Sequence, residues 1–133
     1  MILKQKTWVL FVTAVPKPRM TKRDRWAKRP CVMKYWAFKD ALLREFEGQP
    51  YPEDPHIVSA NFYVPIPKSW SKRKRRFMDE KMHRQKPDLD NFVKGCYDSL
   101  FADDSRIAGG CFYKYWTIEK PRVEITMTWE EED

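Results

Sequence analysis

Short runs of apolar residues predict four β-strands in this chain. A continuous apolar run at residues 8–12 is typical of a central strand. In residues 57–64 and again in residues 123–129, every second position is apolar, as in strands with one face in a core. Residues 111–118 are expected to form a hairpin with the last of these strands, turning at residues 120–121.

Apolar residues spaced three and four apart predict helices between these strands. Residues 34–47 form the first predicted helix, which Gly48 ends. A short basic helix is expected from Ser69 or Ser71 to about Met82, and a third helix at residues 91–101 with Asp90 as its N-cap. The first helix should pack through one face, made of Tyr35, Phe38, Leu42 and Phe46.

The order of these elements, β-α-β-(α)-α-β-β, predicts an α+β fold with a mixed, mostly antiparallel sheet covered by helices. A length of 133 residues with 42% hydrophobic residues suits one compact domain, residues 1–133. The apolar segment 7–15 is too short to cross a bilayer, and the three cysteines lack metal-type spacing. We therefore expect a soluble, cytoplasmic protein with reduced thiols and no membrane partner.

Charge is divided unevenly along the chain. The formal net charge is +7, but residues 1–86 hold 21 basic and 8 acidic side chains, whereas residues 87–133 hold 5 and 11. A basic front and an acidic back are typical of a protein that binds a polyanion with one part and cations with another. Nucleic acid is therefore the first class of partner to consider.

The most informative residues are acidic and lie around the third predicted helix. Asp88 and Asp90, two positions apart, project the same way if the chain is extended there. Within the helix, Asn91, Lys94 and Asp98 gather opposite the apolar half, and Asp103-Asp104 follow after a turn. The same spacing also fits a capped surface helix with a Lys94–Asp98 ion pair and a polar turn.

Converging carboxylates would favour a bound divalent cation. Without one, three carboxylates repel each other and raise one another's pKa. Mg²⁺ prefers oxygen ligands and keeps several waters, so two or three carboxylates suffice. Such an ion polarises a phosphoryl oxygen and activates water, while Lys94 would stabilise charge on a scissile phosphate.

Two basic segments are candidate DNA surfaces, because phosphate neutralisation by lysine and arginine drives nucleic-acid binding. Trp26 and Trp70 lie within them and are expected either to stack on unpaired bases or to pack in the core. His83 is expected at the surface. The predicted DNA contacts are Lys17, Arg19, Arg23 and Arg25 in the first segment, Lys72, Arg73, Lys74, Arg75 and Arg76 in the second, and Lys86 before the acidic residues.

The acidic region also resembles a known signature. Lys86-Pro87-Asp88-Leu89-Asp90-Asn91-x-x-Lys94-x-x-x-Asp98-x-Leu100, followed by Asp103-Asp104-Ser105-Arg106-Ile107, resembles that of the RusA-type Holliday junction resolvases, common in bacteriophages and prophages. The likeness extends to residues 66–71 and 15–19. It implies a homodimeric endonuclease of DNA recombination and repair that depends on Mg²⁺, with Mn²⁺ as an alternative, and cuts four-way junctions by paired incisions in a bacterial or phage-infected cell.

Residue by residue, the resemblance implies that Asp88 and Asp90 are metal ligands and that Lys94 is the essential lysine. Asp104 best matches the third catalytic carboxylate, with Asp103 as the alternative. Other members often carry Gln shortly after the double Asp, where this chain has Ser105-Arg106. Two other functions remain open: a non-catalytic module that binds branched DNA, and the same chemistry on flaps or replication forks.

Overall fold

The fold is that of a computed structural model, which describes residues 1–132. Strands and helices occur in the order β1, α1, β2, α2, α3, β3, β4, with a short 3-10 helix between β1 and α1. Their bounds are Ile2–Leu10 (β1), Lys22–Arg25 (the 3-10 helix), Pro30–Glu45 (α1), Ile57–Pro65 (β2), Lys72–Met78 (α2), Leu89–Leu100 (α3), Phe112–Thr117 (β3) and Arg122–Glu131 (β4).

The four strands form one mixed sheet in the order β1-β4-β2-β3. Strand β4 is antiparallel to β1 and to β2, while β2 and β3 are parallel. In this register Ala60 lies opposite both Ile125 of β4 and Phe112 of β3. The predicted α+β fold with a mostly antiparallel sheet is therefore confirmed.

Two predicted strand positions are wrong. Strands β3 and β4 do not form a hairpin, because β2 lies between them and pairs with both. The connection at residues 118–121 therefore passes over the end of β2 instead of making a tight turn. It spans two strand spacings, about 10 Å from β3 to β4. Strand β1 lies at the edge of the sheet and not at its centre. Alternation reveals which face of a strand is buried, but it does not identify the neighbouring strand.

The helices begin and end at different residues than predicted. Helix α1 begins at Pro30, four residues early, because proline suits the first helical position. Ser71 caps α2 by accepting a hydrogen bond from the Lys74 amide at 3.2 Å, as expected, but the helix ends at Met78. Helix α3 begins at Leu89 with Asp88 as its N-cap, so the prediction of Asp90 as N-cap is wrong.

The core lies between one face of the sheet and helices α1 and α3. Alternate strand residues such as Phe62 and Ile125 point into it, and the other side chains of the strands lie on the opposite face, which no helix within residues 1–132 covers. The predicted α1 face is confirmed, since its four residues are buried. No helix within residues 1–132 combines the length and apolarity needed to span a membrane. The buried residues at the centre of the core are Leu10, Leu42, Val58, Phe62, Phe92, Val123, Ile125 and Met127.

Candidate active site

Helix α3 is held rigidly by its apolar side. Phe92 and Cys96 are buried, and the Phe92 ring packs 5.2 Å from that of Phe62 in β2. Near its end, the Tyr97 hydroxyl donates to the Val58 carbonyl at 2.9 Å, and Tyr51 donates to Leu100 at 2.7 Å. A helix fixed in this way presents its opposite, polar side in a defined direction.

The carboxylates at the start of α3 are not occupied by helix capping. Asp88 is the N-cap residue, but its side chain makes no cap hydrogen bond. The helix begins at Leu89 and not at the predicted Asn91. Leu89 is half-buried and packs against the core, which favours its inclusion in the helix. Asp90 therefore lies in the first turn, 69% exposed, and the Lys94 ammonium is 3.9 Å from its carboxylate. The first turn thus exposes two carboxylates and a lysine.

The basic segment before α1 lies directly against α3. A Cβ at Gly95 would lie 3.1 Å from the Val15 carbonyl, so glycine permits this close approach. The Lys17 amide donates to the Asn91 carbonyl at 3.1 Å, and the Lys17 side chain forms an ion pair with Asp98. The predicted Lys94–Asp98 surface pair is therefore replaced by Lys94–Asp90 and Lys17–Asp98 pairs.

Asp103 and Asp104 interact with different neighbours. The hydrogen bond with Asp98 raises the pKa of Lys17, and the charge of Asp104 acts in the same direction. Burial raises the pKa of Tyr97 to about 12, with a further contribution from Asp104. Asp103 instead accepts a hydrogen bond from the Ser105 amide at 2.9 Å within its own turn. Asp104 is thus the member of the pair whose charge affects the pKa values of Lys17 and Tyr97.

A cleft of about 590 Å³ lies beside Asp88. Three predicted DNA contacts, Lys17, Arg19 and Lys86, line it together with Asp88 and Asn91. A second cleft adjoins it and adds Lys94 to Lys17, Arg19 and Asn91. Lys34 was not among the predicted DNA contacts, but it also lines the larger cleft. Pro30 marks the start of α1, and a helix that begins there has Lys34 in its second turn.

The remaining predicted DNA contacts line other parts of the surface. Arg25 lines a small cleft with Lys22 and Trp26, and the Trp26 side chain is 70% exposed, so a core position for it is wrong. Lys72, Arg75 and Arg76 of α2 line another cleft. Trp70 is half-buried, with its ring 5.0 Å from that of Trp116 and the Lys74 ammonium 3.9 Å above it.

An ion pair orders the segment that carries Arg19. Arg29 donates to both oxygens of buried Asp24 at 2.9 Å and to the Arg19 carbonyl at 2.8 Å. Asp24 also accepts from the Thr21 amide at 2.6 Å, which completes a capping box. The T-x-x-D pattern at residues 21–24 is the local sequence signal for this turn.

We expect Asp24→Asn to destabilise the protein mainly above about pH 4. The Arg29 hydrogen bonds lower the pKa of Asp24 from 3.8 to about 2. The ionised pair therefore stabilises the folded state above the unfolded pKa, and this contribution is lost as the pH falls through about 2. Scanning calorimetry from pH 7 to pH 2 should show the Tm difference from wild type shrinking. Asp40→Asn, at an exposed site on α1, is the control, and a constant difference would contradict the expectation.

His83 is buried, so its predicted surface position is wrong. Only 4% of it is exposed, and its ring lies 4.1 Å from that of Trp116. Burial lowers the pKa of His83, and the charge of Lys114 lowers it further. This histidine therefore belongs to the packing that holds the segment before α3, since a neutral ring suits such a position.

Within residues 1–132, no three His, Cys, Asp or Glu side chains are grouped closely enough to hold a metal ion. The donor chemistry nevertheless fits Mg²⁺, because Asp88, Asp90 and Asp104 offer only oxygen atoms and are exposed. An ion that keeps several waters needs only one or two protein carboxylates. On the same polar side of α3, Asp98 already has a cationic partner, because it forms an ion pair with Lys17.

Comparison with known proteins identifies the family. The family model of endodeoxyribonuclease RusA matches residues 12–128. The chain is also 37% identical over 81 residues to the uncharacterized protein YqaN of Bacillus subtilis (strain 168), an alignment that covers 55% of this chain and 56% of that protein. The chain thus spans about half the length of this curated relative. Because the family model matches most of its length, the chain belongs to the RusA family of endodeoxyribonucleases.

Proposed function

We propose that this protein is a Mg²⁺-dependent endonuclease that resolves four-way DNA junctions by paired incisions during recombination and repair. The observation that carries this function is the exposed first turn of α3, where Asp88, Asp90 and Lys94 lie beside clefts lined by Lys17 and Arg19. Carboxylates free of capping next to phosphate-binding cations suit metal-assisted phosphodiester hydrolysis.

We propose Asp88, Asp90 and Asp104 as the metal ligands, although the three carboxylates are not grouped within residues 1–132 of this structure. Asp88 and Asp90 would hold the ion, and Asp104 would approach it when DNA binds. Mn²⁺ is an alternative to Mg²⁺ because both ions take oxygen donors. When bound, the ion polarises a phosphoryl oxygen and activates a water. The choice of Asp104 over Asp103 is supported by the hydrogen bond that Asp103 accepts within its own turn, and the charge effect of Asp104 on Lys17 agrees with it.

The cations of the site divide into two groups by position. Lys17, Arg19 and Lys86 line the cleft beside Asp88 and suit the phosphates that flank the cut. Lys94 is 65% exposed and close to Asp90, so its ammonium can reach the scissile phosphate and stabilise the charge that builds there.

A synthetic four-way junction tests the function directly. We expect nicks at paired positions with Mg²⁺, none with EDTA, and slower cutting of flaps, forks and linear duplex. Faster cutting of a flap or fork would assign the same chemistry to that substrate. Binding without metal-dependent nicking of any branched DNA would instead support a non-catalytic DNA-binding module.

The basic helix α2 is proposed to extend the DNA surface. Neutralising Arg73, Lys74 and Arg75 together should flatten the dependence of junction affinity on salt, because each lost phosphate contact reduces the logarithmic slope by about 1. Fluorescence anisotropy between low and moderate salt measures this slope. A triple substitution of Lys4, Lys6 and Lys39, outside the clefts, is the charge-matched control. An unchanged slope would remove α2 from the DNA surface.

A homodimer is part of this proposal, since two coordinated cuts on a two-fold junction require two active sites. The uncovered face of the sheet supports it, because Val9 and Tyr113 there are 48% and 45% exposed. Sedimentation of the free protein distinguishes a dimer from a monomer that pairs only on DNA. Acting on DNA in a bacterial or phage-infected cell, the enzyme is proposed to be cytoplasmic.

A further inference from the structure

The segment between α2 and α3 is fastened to the outer edge of β3. The Glu80 amide donates to the Trp116 carbonyl, the Trp116 amide donates to Lys81, and the His83 amide donates to Lys114, each at 2.9 Å. Buried His83 adds a ring contact with Trp116. These contacts end at residue 83, five residues before Asp88, so something else must hold residues 84–87.

Lys114 of β3 holds residues 84–87 in place. It lies opposite Phe62 in the sheet register, on the face that packs against the helices. Its ammonium donates to the carbonyls of Gln85 and Pro87, both at 2.7 Å. Such charge-assisted bonds are shorter and stronger than neutral ones. The Pro87 carbonyl belongs to the peptide unit that leads into Asp88, so this bond acts one residue from the carboxylate.

We propose that Lys114 is a positioning residue for metal binding, because its clamp on Gln85 and Pro87 sets where Asp88 enters α3. This role rests on the function proposed above. Without the clamp, the exposed Gln85 carbonyl can turn to water, but the part-buried Pro87 carbonyl loses its donor, so the loop next to Asp88 must rearrange to recover a hydrogen bond. Outer groups that orient a ligand in this way commonly change metal affinity or activity by about 10- to 100-fold.

The charge of Lys114 also bears on Asp88. Burial lowers the pKa of the Lys114 ammonium, while the charge of Asp88 opposes that shift, so the two groups lie within electrostatic range. Lys114 therefore both clamps the loop before Asp88 and lies within electrostatic range of its carboxylate. Lys114→Arg keeps the charge and the donors, whereas Lys114→Met removes both.

Three measurements test the proposal. They compare Lys114→Met and Lys114→Arg with the control Lys4→Met, and each is made at a temperature below the Tm of every variant. Hydrogen exchange reports the clamp through the amides of Asn91 and Phe92, which donate to the Asp88 carbonyl at 3.2 and 3.4 Å. Mn²⁺ titration of the free protein reports metal affinity without reference to activity. Cleavage of a four-way junction in Mg²⁺, with junction affinity in EDTA, separates turnover from binding.

For Lys114→Met we expect at least tenfold faster exchange at Asn91 and Phe92, at least tenfold weaker Mn²⁺ binding and slower turnover, with junction affinity within about threefold of wild type. Lys114→Arg should recover most of each loss, and Lys4→Met should match wild type. If Lys114→Met does not fold, Lys114→Gln is judged by the same criteria.

The role is overturned if Mn²⁺ affinity stays at the wild-type value, whether or not exchange increases, because Lys114 would then serve stability alone. If wild type itself neither binds Mn²⁺ nor cuts branched DNA, the proposed endonuclease function fails, and the positioning role fails with it. If wild type binds Mn²⁺ and cuts the junction, and Lys114→Met does both equally well, only the positioning role is overturned.

Discussion

Asp90→Asn is expected to abolish junction cleavage while leaving junction binding near the wild-type level. The substitution keeps the size of the side chain but removes the charge of a proposed metal ligand. Because the side chain is 69% exposed in the first turn of α3, folding should change little. Loss of a direct ligand should exceed the roughly 100-fold effect seen for outer-shell partners. Single-turnover cleavage in Mg²⁺ and gel-shift binding in EDTA measure the two properties separately.

The double Asp provides a matched pair for the same assay. Asp104→Asn should reduce cleavage as strongly as Asp90→Asn, whereas Asp103→Asn should retain most of the activity, because its amide oxygen can still accept from the Ser105 amide. The two variants have identical charge and lie one residue apart. Cleavage at near wild-type rate by Asp90→Asn would refute the metal assignment, and the reverse order for the pair would make Asp103 the third ligand.

Lys94→Ala should reduce the rate of cleavage by about 100-fold or more, the usual cost of removing one group that stabilises transition-state charge. Alanine is the best helix former, and Lys94 is 65% exposed, so the helix itself should be unaffected. The loss should appear in the single-turnover rate at saturating protein, with junction affinity changed much less.

Lys34→Ala is the informative comparison for Lys94, since Lys34 lies on α1 and lines the larger cleft, whereas Lys94 lies on α3 and lines the second one. We expect it to weaken binding more than turnover, which is the opposite of the result for Lys94→Ala. If Lys94→Ala were defective in binding alone, Lys94 would belong with the phosphate contacts, and another group would have to stabilise the developing charge.

Local sequence contained the central part of the site. Asp88, Asp90 and Lys94 lie within seven consecutive residues at the start of one helix. Their mutual positions follow from helix geometry once the helix is recognised, even though its first residue was misplaced by two. The apolar spacing of α1, β2 and β4 likewise identified the buried faces, because periods of 3.6 and 2 leave a clear pattern.

Contacts between distant parts of the chain could not be predicted in this way. The pairing of Lys17 with Asp98 spans 81 residues, and it depends on a glycine that lets one segment approach α3. The same holds for the insertion of β2 between β3 and β4, which no alternation pattern specifies. His83 was misplaced because a buried histidine and an exposed one look alike without the packing of Trp116.

The sequence by itself determined the class of fold, the buried faces and the acidic first turn of α3, since each arises from residues close together in the chain. Only the tertiary structure decided which cations face that turn and which member of the double Asp acts on Lys17. It also revealed the clamp of Lys114 on the loop before Asp88. The physical reason is that hydrogen bonds and charges act through space, so partners remote in sequence become neighbours only when the sheet and helices pack.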